Sequence, residues 1–560
     1  MPMLRTLRFA VAGAAFAALG YSGVISIVST GAPVFAQAPA TGGDAAAMSN
    51  RCATKPFDGA SGPMWNGWGR DLNNSRYQPD PGFTADQLSR MKLKWAFGFP
   101  NAVSAWGQPT VVGGRVFLGV DTGYVYAVDA ATGCVYWSHK AQAGVRSAVS
   151  IGRITAAGAT RYAAYFGDLV ANVYAVDAET GMLLWTKRAD THVRARITGA
   201  PAFYEGRVYV PVSSLEEGSG AGPRYECCTF RGSVVVYDAA TGDQIWKSET
   251  IATPLTKTKQ TSLGTQMWGP AGAAIWSSPT IDPRRGVLYV ATGDAYTSPA
   301  ADESDAVVAM DLKTGRHVWV RQVTPNDAFL TGSCPSAGPG RSETCPDPQG
   351  PDFDFGNSPV LRTLPDGRSV IAIGQKSGIG WGLDPDNKGA ILWQHRVGKG
   401  STSGGIQWGS AADDQQAYFA NADSRYGPAE AGGLAAVRLD TGERVWFARP
   451  PALATPCTSA DDRRCVQAQS AAVTVIPGAV FSGATNGIMR AYSARDGKVL
   501  WEFDTAHAFT TVNGVEAKGG AINGPGPTAA GGTLFVTSGY AGLSGRGAGA
   551  GNVLLAFRPE

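Results

Sequence analysis

The feature that most limits what this chain can fold into is a hairpin written seven times. The copies are VYAVDAATGCVYW from residue 125, VYAVDAETGMLLW from 173, VVVYDAATGDQIW from 234, VVAMDLKTGRHVW from 307, GWGLDPDNKGAILW from 380, LAAVRLDTGERVW from 434 and MRAYSARDGKVLW from 489. In each, an alternating apolar strand runs into an Asp-x-x-Thr-Gly type of turn and then a strand carrying a tryptophan, which is the turn chemistry of a β-hairpin. The copies start 48 to 73 residues apart, a spacing that suits four-stranded units joined by variable loops, and so a β-propeller. An eighth first strand, VLLAFRPE, ends the chain, while MKLKWAF at 91–97 is a second strand with no hairpin before it. Pairing these two predicts an all-β, eight-bladed propeller closed by the N- and C-terminal strands, a closure that leaves no open sheet edge.

Eight tryptophans then occupy equivalent places: Trp95, Trp137, Trp185, Trp246, Trp319, Trp393, Trp446 and Trp501. Their regularity assigns them to packing between blades. Functional roles fall to tryptophans off the repeat, such as Trp268, Trp276, Trp381 and Trp408.

Charge excludes some functions. Lys and Arg number 48 against 45 Asp and Glu, without a basic run, so nothing calls for nucleic acid or an anionic membrane surface. Residues 1–36 carry Arg5 and Arg8, an apolar stretch from Phe9 to Val28, and VFA before Gln37, the pattern of a secretory signal; an uncleaved membrane anchor is the alternative. The expected organisation is a signal peptide over 1–36, an extension over 37–61 and the propeller over 62–560, with a bacterial periplasm as the address. All eight cysteines follow the signal, in a compartment where disulfides persist. Cys334 with Cys345, and Cys457 with Cys465, would each close a short loop. No Cys-x-x-Cys-His occurs, so covalent haem is not encoded.

Chemistry is expected where the repeat is interrupted. ITGAP and PVSSLEEGSG (197–201 and 211–220) carry Thr198, Ser213, Ser214, Glu216 and Glu217. GPAGAAIWSSPTID leads into VLYVATGDAYT, setting Trp276 and Asp294 a strand apart. TPNDAF and GPDFDFGNSPVL then precede IGQKSGIGWGLD, with Asp352, Asp354 and Lys376. Singly, each of these carboxylates reads as a solvated loop residue.

Together, the repeated hairpin, SSLEEG, the Trp before PTID, TGDAYT, PDFDFG and QKSG resemble the pyrroloquinoline-quinone (PQQ) dependent alcohol dehydrogenases. NGWGRDLNNSRYQ, GGIQWGSA and VNGVEAKGGAINGPGPT are most similar to the polyvinyl-alcohol dehydrogenase branch. The resemblance spans nearly all of the chain from about residue 62. It implies a flat quinone bearing three carboxylates, bound on an aromatic face among cations and hydrogen-bond donors. Trp276 would be the stacking floor, with Thr198, Ser213, Arg146 and Gln407 as further contacts. Glu216 and Asp294, with Asp354, would hold Ca2+ or another hard cation, Glu217 being the rival for Glu216. The family often has asparagine where this chain has Asp294. Asp354 would be the catalytic base, with Asp352 as its neighbour and competitor, and Lys376 would stabilise charge on the quinone oxygens.

Relatives cover the cofactor with adjacent cysteines near Arg146, where this chain has none. Its only adjacent pair is Cys227 and Cys228, which would either form a ring or pair elsewhere; Cys52 with Cys134 would use up the remaining two. The implied function is oxidation of an alcohol substrate, with electrons passed to a soluble c-type cytochrome. The alternative is a non-catalytic propeller scaffold of the outer-membrane assembly type, which would not require these residues to meet.

Overall fold

Eight antiparallel sheets, seven of four strands and one, in blade 3, with a fifth short strand, are arranged as a ring in the computed structural model, which describes residues 43–156, 158–332, 334, 341–453, 463–542 and 547–560. The expected signal segment, 1–36, lies outside the described residues. Blade 1 is built from Thr110–Val112, Arg115–Gly119, Tyr124–Asp129 and Val135–Lys140, and the later blades repeat that order. In the eighth, Met91–Gly98 lies antiparallel to Val553–Pro559, with Ala96 opposite Leu555 and Phe97 opposite Leu554. The ring closes as the repeat count requires.

Why the hairpin needs both its glycine and its tryptophan is clear at the contact between blades 1 and 2. Asp177 accepts from the backbone of Glu179 and Thr180, and Gly181 completes the turn at φ +75°. A Cβ on Gly181 would lie 2.7 Å from the Trp137 ring of the preceding blade, so the glycine serves both the turn and the close approach. Trp137 Nε1 donates to Ala178 O at 3.1 Å, and Trp185, Trp393 and Trp446 donate likewise into the next blade. The buried apolar clusters lie between neighbouring blades; Phe117 and Trp137, for example, pack on Ile151, Ala164 and Phe166.

Residues 64–78 thread across the inner strands. Trp65 pairs with Val111, Asn66 binds Ile151, Ile281 donates to Leu72 O and Leu361 to Asn73 O. Further along, Ala412 donates to Ser75 O, Val475 to Arg76 O, and Gln78 reaches Ala529 O. Arg76, fully buried, spends its guanidinium on the carbonyls of Trp68 and Val473. The segment pins the inner strands and delivers Trp68 to the axial cleft.

Three disulfides are present among the described residues: Cys52–Cys134, Cys227–Cys228 and Cys334–Cys345. Cys457 lies outside the described residues.

Candidate active site

The interruptions of the repeat in blades 3 to 5 converge on one end of the ring. Trp276 leads into the inner strand of blade 4 and lines a narrow cleft with Trp68, Trp106, Arg146, Thr198 and Trp408. Its ring is half-buried and meets Trp408 edge-on at 5.1 Å. Two glycines border it. A Cβ on Gly293 would come within 2.7 Å of Asp354 Oδ1, and one on Gly356 within 2.6 Å of the Trp276 ring, so any side chain there would intrude on the indole or the carboxylate.

Beside this platform is a buried acidic cluster. Lys376 Nζ stands 5.4 Å from the Trp276 centroid and donates to Asp352 Oδ1 at 2.6 Å and Asp354 Oδ2 at 2.7 Å. Asp354 Oδ1 accepts the Asp294 backbone N–H at 2.6 Å. One oxygen from each of Asp294, Asp352 and Asp354 lies within 4.8 Å of the others. Asp305 and Asp327 back the cluster. Asp327 accepts from the N–H groups of Asp352 and Phe353, whereas neither oxygen of the buried Asp305 has a hydrogen bond among the described residues.

So many acids around one lysine disturb each other's protonation. Burial, then the neighbouring carboxylates, raise Asp294 and Asp305 well above the usual range. Asp352 is raised by burial, against the pull of Lys376. Burial would raise Asp354 too, but Lys376 and the Asp294 hydrogen bonds outweigh it and hold that carboxyl low. Burial opposes the charge on Lys376, yet Asp352 and Asp354 keep it firmly protonated.

The residues of SSLEEG are not placed as the sequence reading expected. Glu216, named there as a metal ligand, turns away. Its carboxylate accepts the backbone N–H groups of Thr229 and Phe230 and the Tyr225 hydroxyl, with His192 Nε2 at 3.4 Å. Those donors engage both of its oxygens. Glu217, one residue on in the short helix Glu216–Gly220, is the acid of the pair that interacts with Lys376, Asp354 and Asp327 of the cluster. Burial pushes it up to about 7, with Lys376 opposing and Asp354 and Asp327 adding to the rise. Glu216 instead fastens the segment carrying Cys227–Cys228, a disulfide buried against Gly220, Leu330 and Tyr296.

The softer assignments divide. Thr198 and Ser213 share a hydrogen bond of 3.0 Å, and Thr198 also reaches Trp276 O, so both hydroxyls lie at the platform's edge. The backbone carbonyl of Gln407 abuts Gly356, and its side chain packs toward Gly404. Arg146 lies with its guanidinium 4.1 Å over Trp408. Trp381 is a core residue of blade 5, bonded to Gln375, and Trp268 belongs to the hairpin Thr256–Gln260 and Gln266–Gly269. Sequence reasoning missed Asp305, which looks like any acid before a repeat strand, and gave no role to Asp327, although TPNDAF was singled out.

The arrangement fits both groups that the resemblance implied. Asp294 Oδ2 is buried without a hydrogen bond, and three carboxylate oxygens within 4.8 Å can share one ion. Bound oxygens lie at 2.3–2.6 Å from calcium, which takes six to eight of them. The half-buried Trp276 indole, with Lys376 over its ring and Arg146 across the same cleft on Trp408, suits a flat polyanion.

Residues 65–329 match the family described as glucose/ethanol/alcohol dehydrogenase β-propeller domains, and 229–488 match the outer membrane protein assembly factor BamB. A polyvinylalcohol dehydrogenase of a Pseudomonas species is 45% identical over 90% of this chain and 78% of its own length. Another, from a Sphingopyxis species, is 40% identical over the same shares. Among solved structures, the quinohemoprotein alcohol dehydrogenase ADHIIG of Pseudomonas putida HK5 superimposes with a TM-score of 0.63 at 18% identity, covering 89% of this chain and 80% of that one. That likeness concerns the fold.

Proposed function

Because the chain belongs to the PQQ-dependent alcohol dehydrogenases, on the polyvinyl-alcohol dehydrogenase branch, we propose that its substrates are secondary alcohols of a polymeric chain. The proposed address is the periplasm and the acceptor a separate c-type cytochrome. Formed disulfides and the signal-like residues 1–36 support export. The observation that carries the reading is the meeting of Trp276, Lys376 and three aspartates around one end of the ring.

Bound PQQ would supply the acceptor for hydride, and a hard cation such as Ca2+ would polarise the carbonyl that receives it. The chain's own residues do the rest. Trp276 offers the stacking face, with Arg146, Thr198, Ser213 and Gln407 at its margins. Asp294 and Asp354, whose oxygens meet in the cluster, are proposed cation ligands together with Glu217, preferred to Glu216 because Glu217 interacts with Lys376, Asp354 and Asp327 while Glu216 is held by Thr229, Phe230 and Tyr225. Lys376 holds positive charge where the quinone oxygens gain electrons.

Losing hydride from a carbinol carbon requires a base for the hydroxyl proton. Asp354 has both oxygens committed, to Asp294 N and Lys376, whereas Asp352 has only Oδ1 in a hydrogen bond among the described residues. The open Oδ2 supports Asp352 as the proton acceptor, displacing Asp354 from the role the motif suggested.

The test is reconstitution. Purified protein given PQQ and Ca2+ is expected to develop quinone absorbance and to reduce a dye with oligomers of vinyl alcohol. Folded protein that does neither would support the assembly-scaffold reading instead.

A further inference from the structure

We infer that Arg196 is a second carboxylate clamp, working with Arg146 so that the site selects its planar guest by negative charge. The inference rests on the function proposed above and adds a residue to it. Arg196 ends the short strand Ala195–Arg196 and pairs in register with Ser213, whose hydroxyl binds the Arg196 carbonyl at 3.3 Å and the Thr198 hydroxyl at 3.0 Å. It therefore shares its strand end with both hydroxyls at the edge of the Trp276 platform.

Its Nε is buried without a hydrogen bond, and among the described residues its side chain has no ion pair. Burial, then Arg146, push its pKa down to about 10, with the Tyr296 hydroxyl and Arg194 as the other neighbours acting on it. Arg146 likewise has no carboxylate partner; it lies against Trp408 with Tyr540 beside it. Other arginines held away from water have acceptors, even where one nitrogen stays unpaired as in Arg490. Arg76 has two carbonyls, Arg115 those of Glu179 and Lys55, Arg285 the carboxylates of Asp282 and Asp386, and Arg490 that of Glu502.

The asymmetry with the acids is chemical. A buried carboxylate without a partner takes up a proton and becomes neutral, but a guanidinium keeps its charge at any ordinary pH. Two neighbouring guanidinium groups with donors to spare are a repulsion that an anion removes, most effectively one bearing several carboxylates. PQQ is such an anion.

The experiment uses full-length, calcium-supplemented protein without cofactor, titrated with PQQ while its tryptophan fluorescence is quenched. Loss of a charge-assisted bond is worth roughly one to two powers of ten, so Arg196→Gln is expected to raise Kd by about 10- to 100-fold. It should also flatten the dependence of Kd on salt. Arg196→Lys should recover part of the affinity, because charge returns without the planar fork. Ligand-free Arg196→Gln should melt no lower than the parent, since a like-charge neighbour has been removed. An unchanged Kd in Arg196→Gln overturns the clamp while leaving the dehydrogenase reading intact. A fall of several degrees in its ligand-free melting temperature would make Arg196 a structural residue and overturn the clamp too. Failure of the folded parent to bind PQQ at all would sink the dehydrogenase reading, and the clamp with it.

Discussion

The contact between blades 1 and 2 and the loop cluster of blades 3 to 5 are built by one chain on one repeating unit, yet their polar groups are handled in opposite ways. At the first, the Trp137 indole donates to Ala178 O, Asp177 is satisfied inside its own turn, and apolar side chains fill the remaining space. At the second, Asp294 Oδ2 and both oxygens of Asp305 are buried with nothing to accept from, and acids crowd a single lysine. Unsatisfied buried polar atoms cost stability, about 1–3 kcal/mol each by mutational measures. At the acidic cluster, a charged guest can offset that cost. The Trp137 contact is complete by itself, unlike those of Trp95 and Trp246, whose indole nitrogens are buried without a hydrogen bond, while the loop cluster gathers unpaired charge-bearing oxygens that a bound guest can satisfy.

Substitutions can break this contrast, beginning with those of largest effect. Asp352→Asn should cut kcat by about 10²–10⁴-fold in steady-state dye reduction while leaving PQQ affinity and the melting temperature nearly unchanged. An equal loss from Asp354→Asn, with Asp352→Asn still active, would return the base to Asp354. Trp137→Ala should behave in the opposite sense, costing about 3–5 kcal/mol in denaturant unfolding with kcat per folded molecule intact. If it disabled catalysis without destabilising, the division between the two regions would fail.

The pair Glu216 and Glu217 sharpens the comparison within one helical turn. Glu216→Gln weakens the acceptor for Thr229 and Phe230 and should cost about 1–3 kcal/mol in stability. Glu217→Gln should leave unfolding almost unchanged but raise the Ca2+ concentration needed for half-maximal activity about tenfold. Reversal of these two phenotypes would restore Glu216 as the ligand.

A smaller effect concerns pH. Asp294, Asp352 and Glu217 have raised pKa values in the cation-free fold, so between their ordinary range and those values the folded state binds more protons than the unfolded chain. Their contribution is fully present at low pH and fades as pH rises, for Glu217 through about 7. Asp354, held low, acts in the opposite sense and loses its contribution on acidification below its ordinary value. Melting curves in chelator and in excess Ca2+ should therefore lie close together at pH 5 and separate at pH 8. Smallest of all, Lys94→Ala removes the exposed bridge to Glu560 across the closing strands, and should change stability by less than about 1 kcal/mol.

Much of the fold was legible because its rules are local. An Asp-x-x-Thr-Gly turn and a tryptophan a few residues later need only their own neighbours, and counting them paired Met91–Gly98 with Val553–Pro559. Asp294, Asp354, Lys376 and Trp276 were readable from segments that interrupt the repeat, and the structure brings them together. Which of two adjacent glutamates interacts with the acidic cluster was not readable. Leu215 precedes both, and the decision rests with the backbone donors of Thr229 and Phe230, contributed by a loop more than ten residues away.

The sequence by itself determined the number of blades, their closure and the loops in which chemistry could lie, because hairpins and turns are set by short-range sterics and hydrogen bonds. Only the tertiary structure decided which charges share a buried volume. Electrostatic coupling depends on distance and on the water excluded, and neither follows from the order of residues along the chain.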